Sequence, residues 1–120
     1  MKFQSLILFV STLIFTLGIS SCDAQIPNAK TVEVKVWGNC GMCKKTIENA
    51  GNKRNKAQVD WDKKSKIAVI TYNEKKTTAD KVLKQIADAG YDNENYYAPD
   101  AVYEELHGCC QYDRKPKTEQ

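Results

Sequence analysis

Hydrophobic and polar residues alternate along two stretches of the chain and a third stretch is largely apolar or aromatic on both faces, which predicts three β-strands. In residues 31–37 the valines occupy alternate positions on one face, whereas Glu33, Lys35 and Trp37 occupy the other. The same alternation runs through residues 57–61, and a third apolar stretch covers residues 67–72. A polar turn at residues 63–65 separates the last two strands, so we expect them to form a hairpin.

Two other stretches space their apolar residues three or four positions apart, which predicts helices. The first helix begins at Gly41, and Gly51 is expected just beyond its end. The second begins with a capping pattern of Thr77 and Asp80 and is closed by Gly90. The predicted buried faces consist of Cys43, Ile47 and Ala50 in the first helix and Val82, Leu83, Ile86 and Ala87 in the second.

The resulting element order is typical of an α+β, ferredoxin-like βαββαβ fold, an antiparallel sheet with both helices on one face. Its fourth strand is predicted at residues 93–97. Beyond it, Pro99 is expected to start a short helix that Gly108 closes, and the charged residues 113–120 are expected to be disordered. The tyrosines near this end are expected to pack the tail against the sheet; they are Tyr96, Tyr97, Tyr103 and Tyr112.

The first residues are typical of a secretory signal. Lys2 gives a positive start, and the apolar run at residues 6–19 is too short for a comfortable membrane span. The run ends in Ile-Ser-Ser-Cys22, which resembles the lipobox of bacterial lipoproteins, so we expect a lipid on Cys22 and an envelope location facing the periplasm or exterior. Ordinary cleavage nearby, leaving Cys22 as a thiol, is the alternative. The predicted organisation is a lipoprotein-type signal at 1–21, a tether at 22–30, one domain at 31–97 and a Cys-containing tail at 98–120.

Composition excludes several function classes. The net charge of +3 is mild, and acidic residues are interspersed among the lysines, which favours a solvated surface over a nucleic-acid interface. The chain has a single histidine, and it shows neither a paired-carboxylate cleft nor a Gly-rich phosphate loop. We therefore expect a protein that is not an enzyme.

The chemistry-bearing motif is Cys40-Gly-Met-Cys43, between the first strand and the first helix. Thiolates are soft ligands that favour Cu(I), Zn(II) and other thiophilic ions. The unpaired N–H groups at a helix start favour the anionic sulfurs, and Lys44 and Lys45 are expected to act in the same direction. Two thiolates suit a near-linear ion, Cu(I) or Hg(II), whereas Zn(II) needs two further ligands. A structural disulfide or a buried pair is the alternative.

Adjacent Cys109 and Cys110 are candidate additional metal ligands. Neighbouring cysteines bridge each other only with strain, so each is expected to find a partner elsewhere. The tail could fold back to complete a site of three or four sulfurs, form a separate end that captures ions for Cys40 and Cys43, or form a disulfide with one of them. His107 is more typical of a surface residue than of a ligand.

Residues 31–97 resemble the heavy-metal-associated domain family of copper chaperones, metal-pumping ATPase domains and periplasmic mercury-binding proteins. The resemblance lies in the element order, the C-x-x-C motif and Ala-Gly-Tyr91 after the second helix. It implies that Cys40 and Cys43 bind Cu(I) or a similar ion, that Tyr91 lies near the metal, and that a metal-transporting membrane pump or transporter is the partner. The family's Met-Thr before the first cysteine is Gly-Asn here, and Trp37 or Met42 is the candidate replacement for the methionine.

Three functions compete at this point. The first is binding and transfer of a soft metal ion in the cell envelope. The second is a thiol–disulfide oxidoreductase, because Trp-x-x-Cys-Gly-x-Cys resembles a thioredoxin site; the short domain and the scarcity of prolines after the tether count against it. The third is an interaction module whose cysteines are purely structural.

Overall fold

The computed structural model describes residues 25–117. The predicted signal and Cys22 lie outside this range, as do residues 118–120 of the tail. The elements are β1 (Ala29–Lys35), α1 (Gly41–Gly51), β2 (Ala57–Trp61), β3 (Ile67–Asn73), α2 (Ala79–Asp88), α3 (Asp100–Glu104) and a 3-10 turn (Gly108–Cys110). Within the described range, none of the helices combines the length and apolar character needed to cross a membrane.

The three predicted strands form one antiparallel sheet in the order β1-β3-β2. The central strand β3 pairs Ile70 with Val32 on one side and with Val59 on the other. Residues of α1 and α2 join the inward-facing residues of β2 and β3 in a single apolar core. The opposite face exposes polar residues such as Gln58 and Asp60. The molecule is therefore an α+β fold with a three-stranded antiparallel sheet and two main helices, compatible with a ferredoxin-like arrangement.

The predicted fourth strand does not form within the described residues. The chain meets the end of β1 only at an isolated bridge, Val36 with Asn93, where Trp37 N–H also donates to the Asp92 carbonyl at 2.9 Å. The Asn93 side chain then accepts from the N–H groups of Asn95 at 3.2 Å and Tyr96 at 3.1 Å. Because this side chain takes backbone donors that a strand would offer to its neighbour, the chain turns away from the sheet.

The helix ends are set partly by capping and partly by packing. Thr78, one residue after the predicted Thr77, caps α2 and accepts from Lys81 N–H at 3.2 Å. Gly90 ends α2 as predicted, with φ of +110°. Gly51 is the last residue of α1 and does not lie beyond it, so that prediction is wrong. A Cβ on Gly51 would lie 2.3 Å from Val59 Cγ2, so the glycine permits α1 to pack closely on β2.

The tail folds back along the domain. Pro99 precedes α3, as predicted, but α3 ends at Glu104 and Gly108 begins the 3-10 turn, so the prediction that Gly108 closes this helix is wrong. Arg114 Nη2 contacts the buried Asp92 carboxylate at 2.7 Å, and Lys115 Nζ donates to the Asn93 carbonyl at 2.8 Å. The expected disorder of the charged end is therefore wrong at Arg114 and Lys115, because a buried carboxylate and free carbonyls hold this segment in place.

Candidate metal centre

Cys40 and Cys43 lie at the start of α1. Cys40 is the N-cap residue with extended backbone, and Cys43 is the third residue of the helix. This one-turn spacing places the two Sγ atoms 3.3 Å apart, and Cys43 Sγ also donates to Asn39 Oδ1 at 3.1 Å. Cys40 is partly exposed and Cys43 is fully buried, so one sulfur faces outward and the other inward.

The side chain beneath the preceding loop is Trp61 of β2. Its indole N–H donates to the Val36 carbonyl at 3.0 Å, and the side chain is completely buried. A Cβ built on Gly38 would lie 3.0 Å from the Trp61 ring and 3.3 Å from Cys43 Cβ. The candidates from the sequence for this role were Trp37 and Met42, but Met42 is 50% exposed.

Cys110 supplies a third sulfur. The 3-10 turn brings its Sγ within 3.6 Å of Cys40 Sγ, and the sulfurs of Cys40, Cys43 and Cys110 all lie within 4.8 Å of one another. Cys110 is 4% exposed. All cysteines in the described range are free thiols, so the arrangement agrees with the hypothesis that the tail folds back onto the first two sulfurs.

Cys109 and His107 lie outside this cluster. Cys109 is exposed, with its Sγ 3.8 Å from Cys110 Sγ and 3.6 Å from Met42 Sδ. His107 is also exposed, and its backbone carbonyl accepts from Cys110 N–H at 2.7 Å. His107 therefore helps to shape the turn through its backbone, while its side chain is absent from the cluster.

Tyr112 holds the tail against the end of α2. Its hydroxyl donates to the Gly90 carbonyl at 2.7 Å and accepts from Asp92 N–H at 2.8 Å. Its ring stacks on Tyr91 with centroids 5.4 Å apart, and Tyr103 packs edge-on at 5.1 Å. Because Tyr112 is only two residues after Cys110, these contacts fix the position of the third sulfur. The sequence placed Tyr112 among residues that pack the tail, but it did not indicate the link to the site.

Tyr91 lies beside the buried sulfurs of Cys43 and Cys110. It is fully buried, and its hydroxyl has no hydrogen-bond partner among residues 25–117. Burial, and after it the neighbouring Cys43 and Cys110 sulfurs, raise the pKa of Tyr91. The hydroxyl thus stays protonated and is a donor next to sulfurs that accept hydrogen bonds when they are anionic.

Cys40 and Cys110 differ in how readily they ionise. Partial burial opposes ionisation of Cys40, but the N–H and thiol of Cys43, the Cys110 thiol and Met42 N–H lower the pKa of Cys40 from 9.0 to about 7. Cys40 closes no capping hydrogen bond as a thiol, so the N–H groups act chiefly on its anion. Burial, and then the neighbouring sulfurs, raise the pKa of Cys110 to about 12. Cys40 therefore becomes a thiolate more readily than Cys110, and an incoming ion must displace a proton from Cys110.

Lys44 does not act on the sulfurs in the way that the sequence suggested. Its ammonium group donates to Glu48 Oε1 at 2.5 Å, to Asp60 Oδ1 at 2.8 Å and to the Trp61 carbonyl at 2.7 Å. These acceptors lie on α1 and β2 and turn the charge toward the sheet. The causes of the low Cys40 pKa are the groups of Cys43 and Met42 at the helix start together with the Cys110 thiol of the tail.

The cluster has dimensions that fit a metal ion. For a metal–sulfur bond of about 2.3 Å, three sulfurs in a plane around one ion lie about 4.0 Å apart. The Cys40–Cys43 distance of 3.3 Å and the Cys40–Cys110 distance of 3.6 Å require only small outward movements of the side chains. Cys40, Cys43 and Cys110 could therefore hold a metal ion.

Comparison with known proteins gives no further assignment. No family model, curated protein or solved structure matches this chain.

Proposed function

We propose that this protein binds a soft metal ion through Cys40, Cys43 and Cys110 and transfers it to a partner without catalysing a reaction. The observation that carries the proposal is the convergence of three free thiol sulfurs within 4.8 Å. Cu(I) is the first candidate because it is soft and accepts a low coordination number. Hg(II) shares the preference for sulfur, whereas Zn(II) would need a fourth ligand to complete a tetrahedron.

The difference in exposure among the sulfurs supports transfer as well as binding. Cys43 and Cys110 are buried and exclude water from an ion bound to them, whereas Cys40 is partly exposed. An acceptor thiol can therefore approach the ion on the Cys40 side and replace the protein's sulfurs one at a time. A metal-transporting membrane pump or transporter with its own thiol site is the partner that this chemistry suits.

The cellular setting and the family belong to the same proposal. A lipid on Cys22 would anchor the protein in the cell envelope, facing the periplasm or exterior. Membership of the heavy-metal-associated family is supported by the C-x-x-C motif at the start of α1. The three-stranded sheet with two helices is compatible with it.

The test is anaerobic titration of the reduced protein with Cu(I) against a chromophoric chelator, followed by X-ray absorption. We expect one tightly bound Cu(I) with three sulfur neighbours. Cys110→Ala should reduce the sulfur number to two and weaken binding about tenfold or more, because a thiolate ligand is lost. Cys40→Ser/Cys43→Ser should abolish tight binding. A reduced protein that binds neither Cu(I) nor Hg(II) would refute the proposal and favour purely structural cysteines.

A thiol–disulfide oxidoreductase is the second candidate, favoured by one specific observation. Cys40 and Cys43 lie 3.3 Å apart, and the partly exposed Cys40 has its pKa lowered to about 7, as an attacking thiol requires. Insulin reduction with dithiothreitol separates the two functions. Catalysis that disappears in Cys40→Ser would support the oxidoreductase, whereas turnover no faster than the uncatalysed rate would leave metal transfer as the better explanation.

A further inference from the structure

Two further soft sulfur atoms lie together at the surface, outside the three-sulfur cluster. Cys109 Sγ is 3.6 Å from Met42 Sδ. Met42 is 50% exposed and Cys109 is also exposed. Met42 belongs to the first turn of α1 and Cys109 to the 3-10 turn of the tail, so only the folded tail brings the pair together.

A continuous series of sulfurs connects this pair with the interior. Cys109 Sγ lies 3.8 Å from Cys110 Sγ, which lies 3.6 Å from Cys40 Sγ. The outer members of the series are exposed, whereas Cys110 is 4% exposed and Cys43 is fully buried. Every sulfur in the series belongs to a thiol or a thioether, and these are the ligands that soft metal ions prefer.

Of the three inner sulfurs only that of Cys40 belongs to a partly exposed residue, so an outer contact adds a second place where an ion can arrive. An ion that arrives still bound to a bulky carrier cannot reach Cys43 or Cys110 directly, because these sulfurs are covered by protein. Met42 and Cys109 are accessible to such a carrier. A thioether is a weak ligand that binds a soft ion without releasing a proton, which suits a transient contact.

We propose that Met42 and Cys109 form an outer subsite that receives a soft monovalent ion, such as Cu(I), and delivers it to Cys110, Cys40 and Cys43. The inference rests on the proposed metal-binding function and adds a route to it. It assigns to Met42 and Cys109 a role in the rate of metal uptake and none in the final coordination.

The delivery is a sequence of ligand exchanges. Cys109 releases its proton to water as its Sγ bonds to the ion, Met42 Sδ bonds beside it, and the bonds between the ion and its carrier break. Cys110 releases its proton to water as its sulfur bonds to the ion, and the bond to Met42 breaks. Cys40 Sγ and then Cys43 Sγ bond to the ion, each releasing to water the proton it carries as a thiol; the bond to Cys109 breaks, and Cys109 Sγ takes a proton from water. The oxidation state of the ion does not change.

The test compares the rate of uptake with the strength of binding in the full chain. Cu(I) is offered as its bicinchoninate complex, and its transfer is followed by stopped-flow absorbance. We expect Met42→Leu and Cys109→Ala each to slow uptake about tenfold, while the equilibrium affinity stays within about twofold and three sulfur neighbours remain. Cys109→Met is the matched control, because it keeps a soft sulfur at the same place and should retain most of the rate.

Two results would overturn the inference while the proposed function stands. Unchanged uptake rates in both Met42→Leu and Cys109→Ala would show that the ion reaches the interior by another route. A loss of affinity in Cys109→Ala, with one fewer sulfur neighbour, would make Cys109 a permanent ligand. Failure of the parent protein to bind Cu(I) would overturn the proposed function itself, so the two failures are distinguishable.

Discussion

Gly38 determines how closely the loop before Cys40 approaches the core. A side chain here would meet the Trp61 ring at 3.0 Å and Cys43 Cβ at 3.3 Å, and Trp61 is held by its hydrogen bond to Val36. Because Trp61 is fully buried, its ring has little room to withdraw. Because Gly38 has no side chain, the loop can pack closely against Trp61, and the position of Cys43 therefore depends on the packing of β2.

We expect Gly38→Ala to destabilise the protein by about 1–3 kcal/mol, because a methyl group overpacks the contact with Trp61. Metal affinity should fall as well, since the same methyl group displaces Cys43. Urea unfolding and Cu(I) competition measure the two effects. Gly41→Ala is the control: its Cβ would meet nothing within 4 Å, so neither quantity should fall. Equal stability and equal Cu(I) affinity in Gly38→Ala and Gly41→Ala would show that the close contact with Trp61 does not position the loop.

The tail beyond α3 is the element that completes the candidate site. It makes few regular backbone hydrogen bonds, and its position depends on Tyr112, whose hydroxyl satisfies both the Gly90 carbonyl and Asp92 N–H. Tyr103 supports it from the other side by donating to the Tyr112 carbonyl at 2.6 Å. Hydrogen bonds from the side chains of Tyr112 and Tyr103 thus hold this segment in place, whereas backbone hydrogen bonds to the neighbouring strand hold β1.

We expect Tyr112→Phe to cost about 1–3 kcal/mol of stability, because a buried carbonyl and a buried N–H each lose their partner. The loosened tail should also hold Cys110 less firmly, so Cu(I) affinity should move toward that of Cys110→Ala. Tyr97→Phe is the matched control, because its hydroxyl bonds to the Pro116 carbonyl at a 40% exposed position. Unchanged Cu(I) affinity in Tyr112→Phe would show that Cys110 is positioned independently of it.

Within residues 25–117, a buried ion pair joins the domain to its tail. The Asp92 carboxylate is fully buried and receives two nitrogens of Arg114, at 2.7 Å and 3.0 Å, together with Ala98 N–H at 2.7 Å and Lys115 N–H at 3.1 Å. Burial opposes ionisation, but these donors, with Arg114 foremost, hold the pKa of Asp92 below its ordinary value. The ionised Asp92 therefore contributes its full stabilisation at pH values above the ordinary pKa of an aspartate. This stabilisation is lost as the pH falls through the lowered pKa of Asp92 in the folded protein.

We expect Arg114→Gln to lower the free energy of unfolding at neutral pH by about 3 kcal/mol, because it leaves a buried carboxylate without its cation. The Asp92 pKa should rise in this variant, so that the difference in the free energy of unfolding between variant and parent is smaller at acidic pH, where Asp92 becomes protonated, than at neutral pH. Urea unfolding at both pH values measures this. Arg54→Gln makes the same change at an exposed position without an ion pair among the described residues, and it should be nearly neutral. If the difference in the free energy of unfolding between Arg114→Gln and the parent did not change with pH, the stabilising role assigned to the Arg114–Asp92 ion pair would be contradicted.

The local pattern of the sequence determined most of the elements. Alternation predicted β1 and β2, an apolar stretch predicted β3, and helical spacing predicted α1 and α2, because the apolar face of each element must pack against the core. The Cys40–Cys43 pair followed in the same way, since three residues at a helix start make one turn. Gly51 and residues 93–97 were mispredicted because the packing of α1 on β2 and the hydrogen bonds of the Asn93 side chain decided them.

The tertiary structure alone decided which distant sulfur joins the pair. Cys109 and Cys110 are equivalent in the sequence, and 70 positions separate Cys110 from Cys40. The 3-10 turn, anchored by Tyr112 and Arg114, points Cys110 inward and leaves Cys109 beside Met42. Contacts of this kind depend on where the chain returns in space, and no periodicity in the sequence encodes that position.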